Sequence, residues 1–229
     1  MKIIYLLYII TVVSAIVFVE GVALILLHGQ VARYKKYWDH RATETGDFVY
    51  VALGDSAAQG IGASQPEKGY VGQIAKRVAD RTGKKVRVIN LSVSGAVIND
   101  VLVSQLPASK KYKPDLVTIE IGANDMAHYD KQAFTERFTR LVQQLPKGTY
   151  VANMPFFQTR PARRAAAEQA SGIIQTLVAN RDDLKQVDLQ AVTKKRSSWF
   201  GYAADLFHPT ERNYKNWADV FWKEIDGQL

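Results

Sequence analysis

The hydrophobic pattern divides the chain into an apolar first segment and a longer mixed region. Residues 3–27 contain one charged residue, Glu20, in 25 positions. As a helix with a rise of about 1.5 Å per residue they would extend about 37 Å, enough to cross a hydrocarbon core of about 30 Å. Residues 28–46 have no apolar period, and alternating patterns begin near Asp47. We therefore predict a transmembrane anchor over residues 1–27, a juxtamembrane linker over residues 28–46 and a folded domain over residues 47–229.

A cleaved signal peptide is the competing interpretation of the first segment. The small residues from Gly21 to Ala23 would offer a cleavage site, but the apolar run from Ile3 to Val19 exceeds the roughly 7 to 15 residues usual for a signal peptide. A retained anchor is therefore favoured. The positive-inside rule, taken literally, places the domain in the cytoplasm, because Lys2 precedes the segment and more basic residues follow it: Arg33, Lys35, Lys36 and Arg41.

From Asp47 onward, short apolar runs alternate with longer amphipathic stretches. The pattern predicts strands over residues 48–53, 86–91, 116–121, 149–153 and 186–189. It predicts helices near residues 68–82, 96–106, 131–145 and 162–180, and from Pro209 to about residue 225. Strands that alternate with helices indicate a parallel sheet of about five strands, covered on both faces. In such sheets a site lies at the carboxyl ends of the strands.

The composition narrows the chemistry that the domain can perform. With 47% hydrophobic and 23% charged residues, the chain has a globular balance. It has no cysteine, which excludes disulfides, thiolate metal sites and a cysteine nucleophile. Gly60 to Gly62 does not complete the G-x-G-x-x-G pattern of a dinucleotide loop, so no cofactor is expected. No metal is expected either, because the four histidines form no ligand pattern: His28, His40, His128 and His208.

The net charge of +8 suggests an anionic partner. A membrane or envelope surface is favoured, and no nucleic acid is expected because no nucleic-acid-binding module accompanies the charge. The basic run Arg160, Arg163 and Arg164 is interpreted as a solvated helix start, with contact to anionic lipid or envelope polymer as the alternative.

Polar residues and glycines follow the first three predicted strands. Ser56 comes directly after the first strand, where a hydroxyl can project from a tight turn as a nucleophile, although Asp55 or Ser56 could equally cap a helix. Gly95 allows close backbone approach to a ligand, and the Asn124 side chain can donate to an oxyanion. The full set at these strand ends is Gly54, Asp55, Ser56, Gly95, Gly122, Asn124 and Asp125.

Asp205 and His208 lie three residues apart, just before Pro209 and the last predicted helix. One turn can bring the carboxylate to the imidazole Nδ1–H and leave Nε2 facing a nucleophile. Each of these signals is weak alone. Because they fall at successive strand ends and in the loop before the last helix, they predict one shared site.

Together these residues resemble the SGNH (GDSL-type) hydrolase family. Its four motif blocks are matched, in the family's order and over about residues 47–225, by Gly54-Asp55-Ser56, the Gly95 loop, Gly122-x-Asn124-Asp125 and Asp205-x-x-His208. The resemblance implies a flavodoxin-like three-layer α/β/α sandwich and a serine esterase or acyl hydrolase activity. Ala57 departs from the leucine that often follows Gly-Asp-Ser, which leaves the catalytic groups unchanged. The G-x-S-x-G elbow of the α/β-hydrolase fold is absent around Ser56.

The resemblance also implies a role for each residue. Ser56 would be the nucleophile, His208 the general base and then acid, and Asp205 the group that orients His208. The backbone N–H groups of Ser56 and Gly95 and the side chain of Asn124 would form an oxyanion hole. A catalytically inactive module that keeps the fold to bind glycan or lipid is the alternative.

The substrate is less well defined. The apolar groups near the predicted site are expected either to line an acyl pocket or to pack in the core: Met154, Pro155, Phe156 and Phe157, and Trp199, Phe200, Tyr202 and Phe207. No long insertion could serve as a lid, which predicts an open cleft for a small acyl group or one acyl chain. We expect an acylated lipid or O-acylated carbohydrate as substrate. We also expect an extracytoplasmic domain, against the charge count, because the family commonly acts on exported substrates.

Overall fold

A computed structural model describes residues 2–196 and 198–229, without the side chains of residues 2–4, 6–11, 16, 17 and 20. The strands are β1 (Phe48–Gly54), β2 (Val86–Asn90), β3 (Leu116–Glu120), β4 (Tyr150–Ala152) and β5 (Lys185–Val187). The α-helices are α1 (Lys2–Thr43), α2 (Ser56–Gln59), α3 (Tyr70–Thr82), α4 (Ile98–Asp100), α5 (Leu106–Ser109), α6 (Lys131–Gln144), α7 (Arg164–Ala179), α8 (Leu189–Arg196) and α9 (Glu211–Ile225). A π-helical turn, Val101–Gln105, joins α4 to α5.

The described strands form one parallel sheet in the order β2-β1-β3-β4-β5. Side chains of β1 alternate between the two faces, and both faces are buried. Val51 and Leu53 join the apolar cluster on one face, whereas Tyr50 and Ala52 join the cluster on the other. Burial on both faces explains why β1 is a nearly continuous apolar run instead of an alternating one.

Helices cover both faces of the sheet. One layer contains α6 and α7, which contribute Phe134, Phe138 and Ile174 to the core. The opposite layer contains α3 and α9, whose rings Tyr70 and Phe221 stack at 5.3 Å between centroids. The predicted α/β class, with a parallel sheet of five strands between helices, is confirmed among the described residues.

Two element boundaries differ from the prediction. Residues 186–189 were expected to be a strand, but β5 ends at Val187 and Leu189 begins α8. The Asp188 carboxylate accepts a hydrogen bond from the Ala191 N–H at 3.1 Å, which is the behaviour of a helix cap. The helix expected over residues 96–106 is instead divided by the π-helical turn, and Pro107 lies at the start of α5.

Most of the predicted linker over residues 28–46 is helical, because α1 continues through residues 28–43 to Thr43. Leu27, Tyr34 and Trp38 lie on one helix face and are buried against the domain. Spacings of seven and four residues are helical, and Val31 lies on the same face, but this signal was missed among the charged residues Arg33, Lys35 and Lys36.

No helix among the described residues is both long and apolar enough to cross a membrane. That finding gives the predicted transmembrane helix no support. The predicted anchor over residues 3–27 lies partly outside the described side chains.

Candidate active site

The end of β1 presents Ser56 at the carboxyl edge of the sheet. Gly54 has φ of +145°, and a Cβ placed there would lie 2.3 Å from the Glu120 carbonyl oxygen of β3, so this close strand approach requires glycine. Asp55 precedes α2 and accepts the Ala57 N–H at 2.9 Å. Asp55 therefore performs the capping role considered for it, which leaves the Ser56 hydroxyl free for another contact.

Ser56, His208 and Asp205 form a hydrogen-bonded chain. The Nε2 atom of His208 lies 2.8 Å from the Ser56 Oγ, and its Nδ1 atom lies 2.5 Å from the Asp205 Oδ2. The Asp205 Oδ1 accepts the backbone N–H groups of Phe207 at 3.0 Å and His208 at 3.1 Å. These bonds fold the loop so that the carboxylate and the imidazole meet three residues apart, as predicted.

The charge state of Asp205 follows from its surroundings. Burial raises the pKa of the Asp205 carboxyl. The hydrogen bonds from His208 and the Phe207 N–H, together with the charge of His208, lower this pKa by more, so the net shift is downward. Asp205 is therefore ionised at neutral pH. An ionised partner requires the proton of a neutral His208 to be on Nδ1, so Nε2 can accept the Ser56 hydroxyl proton.

Gly95 and Asn124 border the same cleft as Ser56 and His208. Gly95 has φ of +83°, a conformation that favours glycine. The Asn124 amide donates to the Ala96 carbonyl at 2.9 Å and to the Asp55 Oδ2 at 3.2 Å. The longer bond is the one that a substrate oxygen could replace most readily.

Gly122 and Asp125 stabilise the loop that carries Asn124. A Cβ on Gly122, where φ is +117°, would lie 3.1 Å from the Met154 Sδ. The buried Asp125 carboxylate accepts the Ile98 N–H at 3.2 Å and lies 3.6 Å from the Arg137 guanidinium. The predicted site residues on all four motif blocks are therefore brought together.

Glu120 is a buried residue of the site that the sequence reasoning missed. It lines a crevice with Asp55 and Ser56, and neither of its carboxyl oxygens has a hydrogen-bond partner among the described residues. Burial, and then the charge of Asp55, raise the pKa of Glu120 well above its ordinary range. Burial likewise raises the pKa of Asp55 to about 6, although the Ala57 N–H and His208 act in the opposite direction. The only sequence signal for Glu120 is its position: it is the last residue of β3 and comes just before the Gly122 motif.

Two cavities meet at Ser56. The crevice beside Glu120 has room for about 30 Å³, and Phe157 and Phe207 line it. The cleft beside Gly95 is larger, about 290 Å³, and α1 forms part of its wall. A groove of about 720 Å³ between α1 and α3 does not include Ser56.

The expected apolar groups divide between pocket, core and surface. Pro155, Phe157, Tyr202 and Phe207 line the crevice. Met154 is fully buried in the core, whereas Trp199 and Phe200 are 54% and 88% exposed. The sequence could not predict which of these side chains line the crevice, pack in the core or face solvent, because each group extends across a turn.

The basic run is not a simple solvated helix start. The Arg160 guanidinium donates to the Asp205 carbonyl at 2.8 Å, and Arg160 and Arg163 lie over the Phe207 ring at 5.3 and 5.6 Å from its centroid. Arg164 donates to the Phe157 carbonyl at 3.2 Å. Arg160 therefore stabilises the loop that carries His208. Among the described residues, no cluster of His, Asp and Glu could hold a metal ion.

A parallel α/β sheet with a hydrogen-bonded serine, histidine and aspartate at its carboxyl edge is an arrangement used by serine hydrolases. A sequence profile of the GDSL-like Lipase/Acylhydrolase family matches residues 52–215. The chain therefore belongs to that family of ester-hydrolysing enzymes, and the resemblance identified in the sequence is confirmed.

One curated relative matches part of the chain. Esterase TesA of Pseudomonas aeruginosa is 44% identical over 78 residues, which are 33% of this chain and 36% of that protein. The chain thus spans about a third of the length of this relative.

Solved structures share the fold. A variant of Axe2, an acetyl xylan esterase from Geobacillus stearothermophilus, has a TM-score of 0.65 and 22% identity, covering 78% of this chain and 94% of that one. LAE5, an alpha/beta hydrolase enzyme from the metagenome of Lake Arreo, Spain, has a TM-score of 0.65 and 20% identity, covering 81% and 98%. The lipase Lip_vut3 from a goat rumen metagenome has a TM-score of 0.62 and 21% identity, covering 77% and 97%.

Proposed function

We propose that this protein is a serine esterase that cleaves carboxylic esters through a covalent acyl-enzyme. The observation that carries the proposal is the hydrogen-bonded chain from the Ser56 Oγ through the His208 imidazole to Asp205, with distances of 2.8 and 2.5 Å. A nucleophile, a base and an orienting group in this order are what acyl transfer requires.

Each step of the reaction uses one of these groups. His208 Nε2 takes the Ser56 proton as Oγ attacks the ester carbonyl carbon, and the carbonyl oxygen becomes an oxyanion. The same nitrogen then gives the proton to the departing alkoxide, which leaves as the alcohol. Water then attacks the acyl-enzyme as His208 takes its proton, and His208 returns that proton to the Ser56 Oγ as the bond to the acyl carbon breaks and the carboxylic acid leaves. Asp205 stays ionised and stabilises the imidazolium in both halves.

The oxyanion is assigned to three donors: the backbone N–H groups of Ser56 and Gly95 and the Asn124 side-chain amide. Their shared cleft supports this assignment. The Asn124 amide already has a long bond of 3.2 Å to Asp55 that a developing oxyanion in the cleft could replace.

The proposed substrates are acylated lipids or O-acylated carbohydrates of the cell envelope. The crevice of about 30 Å³ beside Ser56 has room for one group of the size of methyl, such as the methyl group of an acetyl ester. The fold similarity to an acetyl xylan esterase supports the carbohydrate class, and the apolar residues of the larger cleft support the lipid class.

We also propose that residues 3–27 hold the enzyme at the membrane with its domain extracytoplasmic. The single charge in this segment supports the location, as do exposed apolar side chains on α1, including Phe18 and Ile25. A reporter fused to the C-terminus is expected to be active only outside the cytoplasm. Activity only inside it would overturn this orientation.

The activity itself is tested on the full chain with p-nitrophenyl acetate. The wild type is expected to turn over the ester, and Ser56→Ala is expected to lose turnover. Ser104→Ala is the matched control, since Ser104 is an exposed serine on the π-helical turn whose hydroxyl donates to the Asp100 carbonyl at 2.6 Å. Folded wild-type protein without turnover would favour the alternative, an inactive module that binds glycan or lipid.

A further inference from the structure

Helix α1 is hydrogen-bonded to the last residue of α2 and to the segment that follows α2. The Trp38 Nε1–H donates to the Gln59 carbonyl at 3.0 Å, and the Tyr34 hydroxyl donates to the Ala63 carbonyl at 2.6 Å. Both donors are buried. These bonds fix α1 relative to α2, which Ser56 begins.

The same segment contacts the loop that carries His208. The Gly62 N–H donates to the Gln30 side chain of α1 at 2.8 Å. A Cβ on Gly62 would lie 2.4 Å from the Pro209 carbonyl oxygen and 2.9 Å from the His208 Cβ, so backbone packs directly on backbone here. Helix α1 therefore has a fixed position relative to both Ser56 and His208.

This position places one stripe of α1 against the site. Leu24, Leu27 and Val31 follow one another at spacings of three and four residues, so they lie on one helix face. All three line the cleft of about 290 Å³ that also contains Ser56 and Gly95. Leu27 is buried. Leu24 and Val31 are more than one third exposed, so they have apolar surface that a ligand could contact.

Ile61 and Phe207 add apolar side chains to the lining of the cleft, and Ile61 packs against Leu27. The polar lining residues are His28 of α1 and, with Ser56, the side chains Ser94, Asn124, Asp205 and His208. With about 30 Å³ for each water-sized group, 290 Å³ accommodates roughly ten non-hydrogen atoms. The cleft is mostly apolar along α1 and reaches the nucleophile, so it has room for a short alkyl chain.

We propose that the α1 stripe of Leu24, Leu27 and Val31 forms part of the substrate site and binds the alkyl chain of an amphiphilic ester while its carbonyl group lies at Ser56. This inference rests on the proposed esterase function and narrows its substrate class. It makes Leu24 and Val31 determinants of chain-length specificity, contributed by a segment outside the matched family region of residues 52–215.

The test compares p-nitrophenyl acetate with p-nitrophenyl octanoate on the full chain. Leu24→Ser and Val31→Ser are expected to lower kcat/KM for octanoate about fivefold to tenfold, because chain contacts are lost, while acetate changes less than about twofold. Val103→Ser is the matched control, since it makes the same change as Val31→Ser at a valine of the π-helical turn that is 63% exposed and lines neither cavity at Ser56. Val31→Trp, which fills the cleft, is expected to lower octanoate turnover selectively.

Acetate turnover reports folding and the proposed esterase function in every variant. The inference is overturned if the octanoate-to-acetate ratio is unchanged by Leu24→Ser, Val31→Ser and Val31→Trp. It is also overturned if Val103→Ser lowers that ratio equally, or if the wild type cleaves acetate but not octanoate. Absence of Ser56-dependent turnover with both esters would instead reject the esterase function itself.

Discussion

Replacing Glu120 with glutamine is predicted to stabilise the protein increasingly as the pH rises. Glu120 is 1% exposed and neither carboxyl oxygen has a described hydrogen-bond partner, so the folded state strongly disfavours its ionised form. Burial raises the pKa of Glu120 well above that of a glutamate in the unfolded chain. The amide of glutamine has nearly the same shape and carries no charge at any pH.

The magnitude follows from proton linkage. Between the unfolded pKa of about 4.3 and the raised folded pKa, the folded protein retains a proton that the unfolded protein has released. Folded-state stability therefore falls as the pH rises through this window, by about 1.4 kcal/mol for each pH unit. Glu120→Gln removes this contribution. Asp55, whose pKa burial also raises, is present in both proteins, but its charge interacts with that of Glu120, so the difference between them reports the titration of the Asp55–Glu120 pair.

The assay is urea unfolding of the full chain, followed by tryptophan fluorescence at several pH values from 5 upward. The free energy of unfolding of Glu120→Gln should exceed that of the wild type by an amount that increases with pH. Glu136→Gln, an exposed position on α6, should follow the wild-type curve. Parallel wild-type and Glu120→Gln curves would refute the raised pKa and with it the account of this buried carboxyl.

Three further substitutions test the site and its attachment to α1. Asn124→Ala should lower kcat for p-nitrophenyl acetate by about 10² to 10³ with little change in unfolding, since one oxyanion donor is lost. Asp205→Asn should lower kcat by about 10⁴, because an amide NH₂ facing Nδ1 would favour the tautomer with the proton on Nε2; a loss below tenfold would contradict the orienting role. Trp38→Ala should lower the free energy of unfolding by about 3 to 5 kcal/mol, whereas the exposed Lys36→Ala should change it by less than about 0.5 kcal/mol; equal effects would contradict the packing of α1.

The sheet and most of the site could be predicted from the sequence because their signals are local. The apolar run of β1 is buried on both faces, so it stands out without any knowledge of its neighbours. Ser56 and His208 were expected at one site because their motifs follow a strand and precede a helix. The contact between them spans 152 positions, and only the topology of a parallel sheet makes it predictable.

What could not be predicted depends on contacts between distant segments. The part of α1 that follows Leu27 has charged residues interspersed among its apolar ones, and the partners of Tyr34 and Trp38 are backbone carbonyl groups that carry no sequence signal. Arg160 seemed solvent-facing because its acceptor, the Asp205 carbonyl, lies 45 positions away. Glu120 differs from an ordinary strand-end glutamate only through burial, which the local pattern does not reveal.

The central claim, that Ser56 is the nucleophile, is tested most directly by covalent labelling. Full-length protein is treated with a serine-directed fluorophosphonate, and the modified residue is located by mass spectrometry after digestion. The account predicts one adduct, on the peptide that contains Ser56. It also predicts loss of the adduct in Ser56→Ala and its retention in Ser104→Ala. Folded wild-type protein that stays unlabelled, or an adduct that persists in Ser56→Ala, would contradict the account.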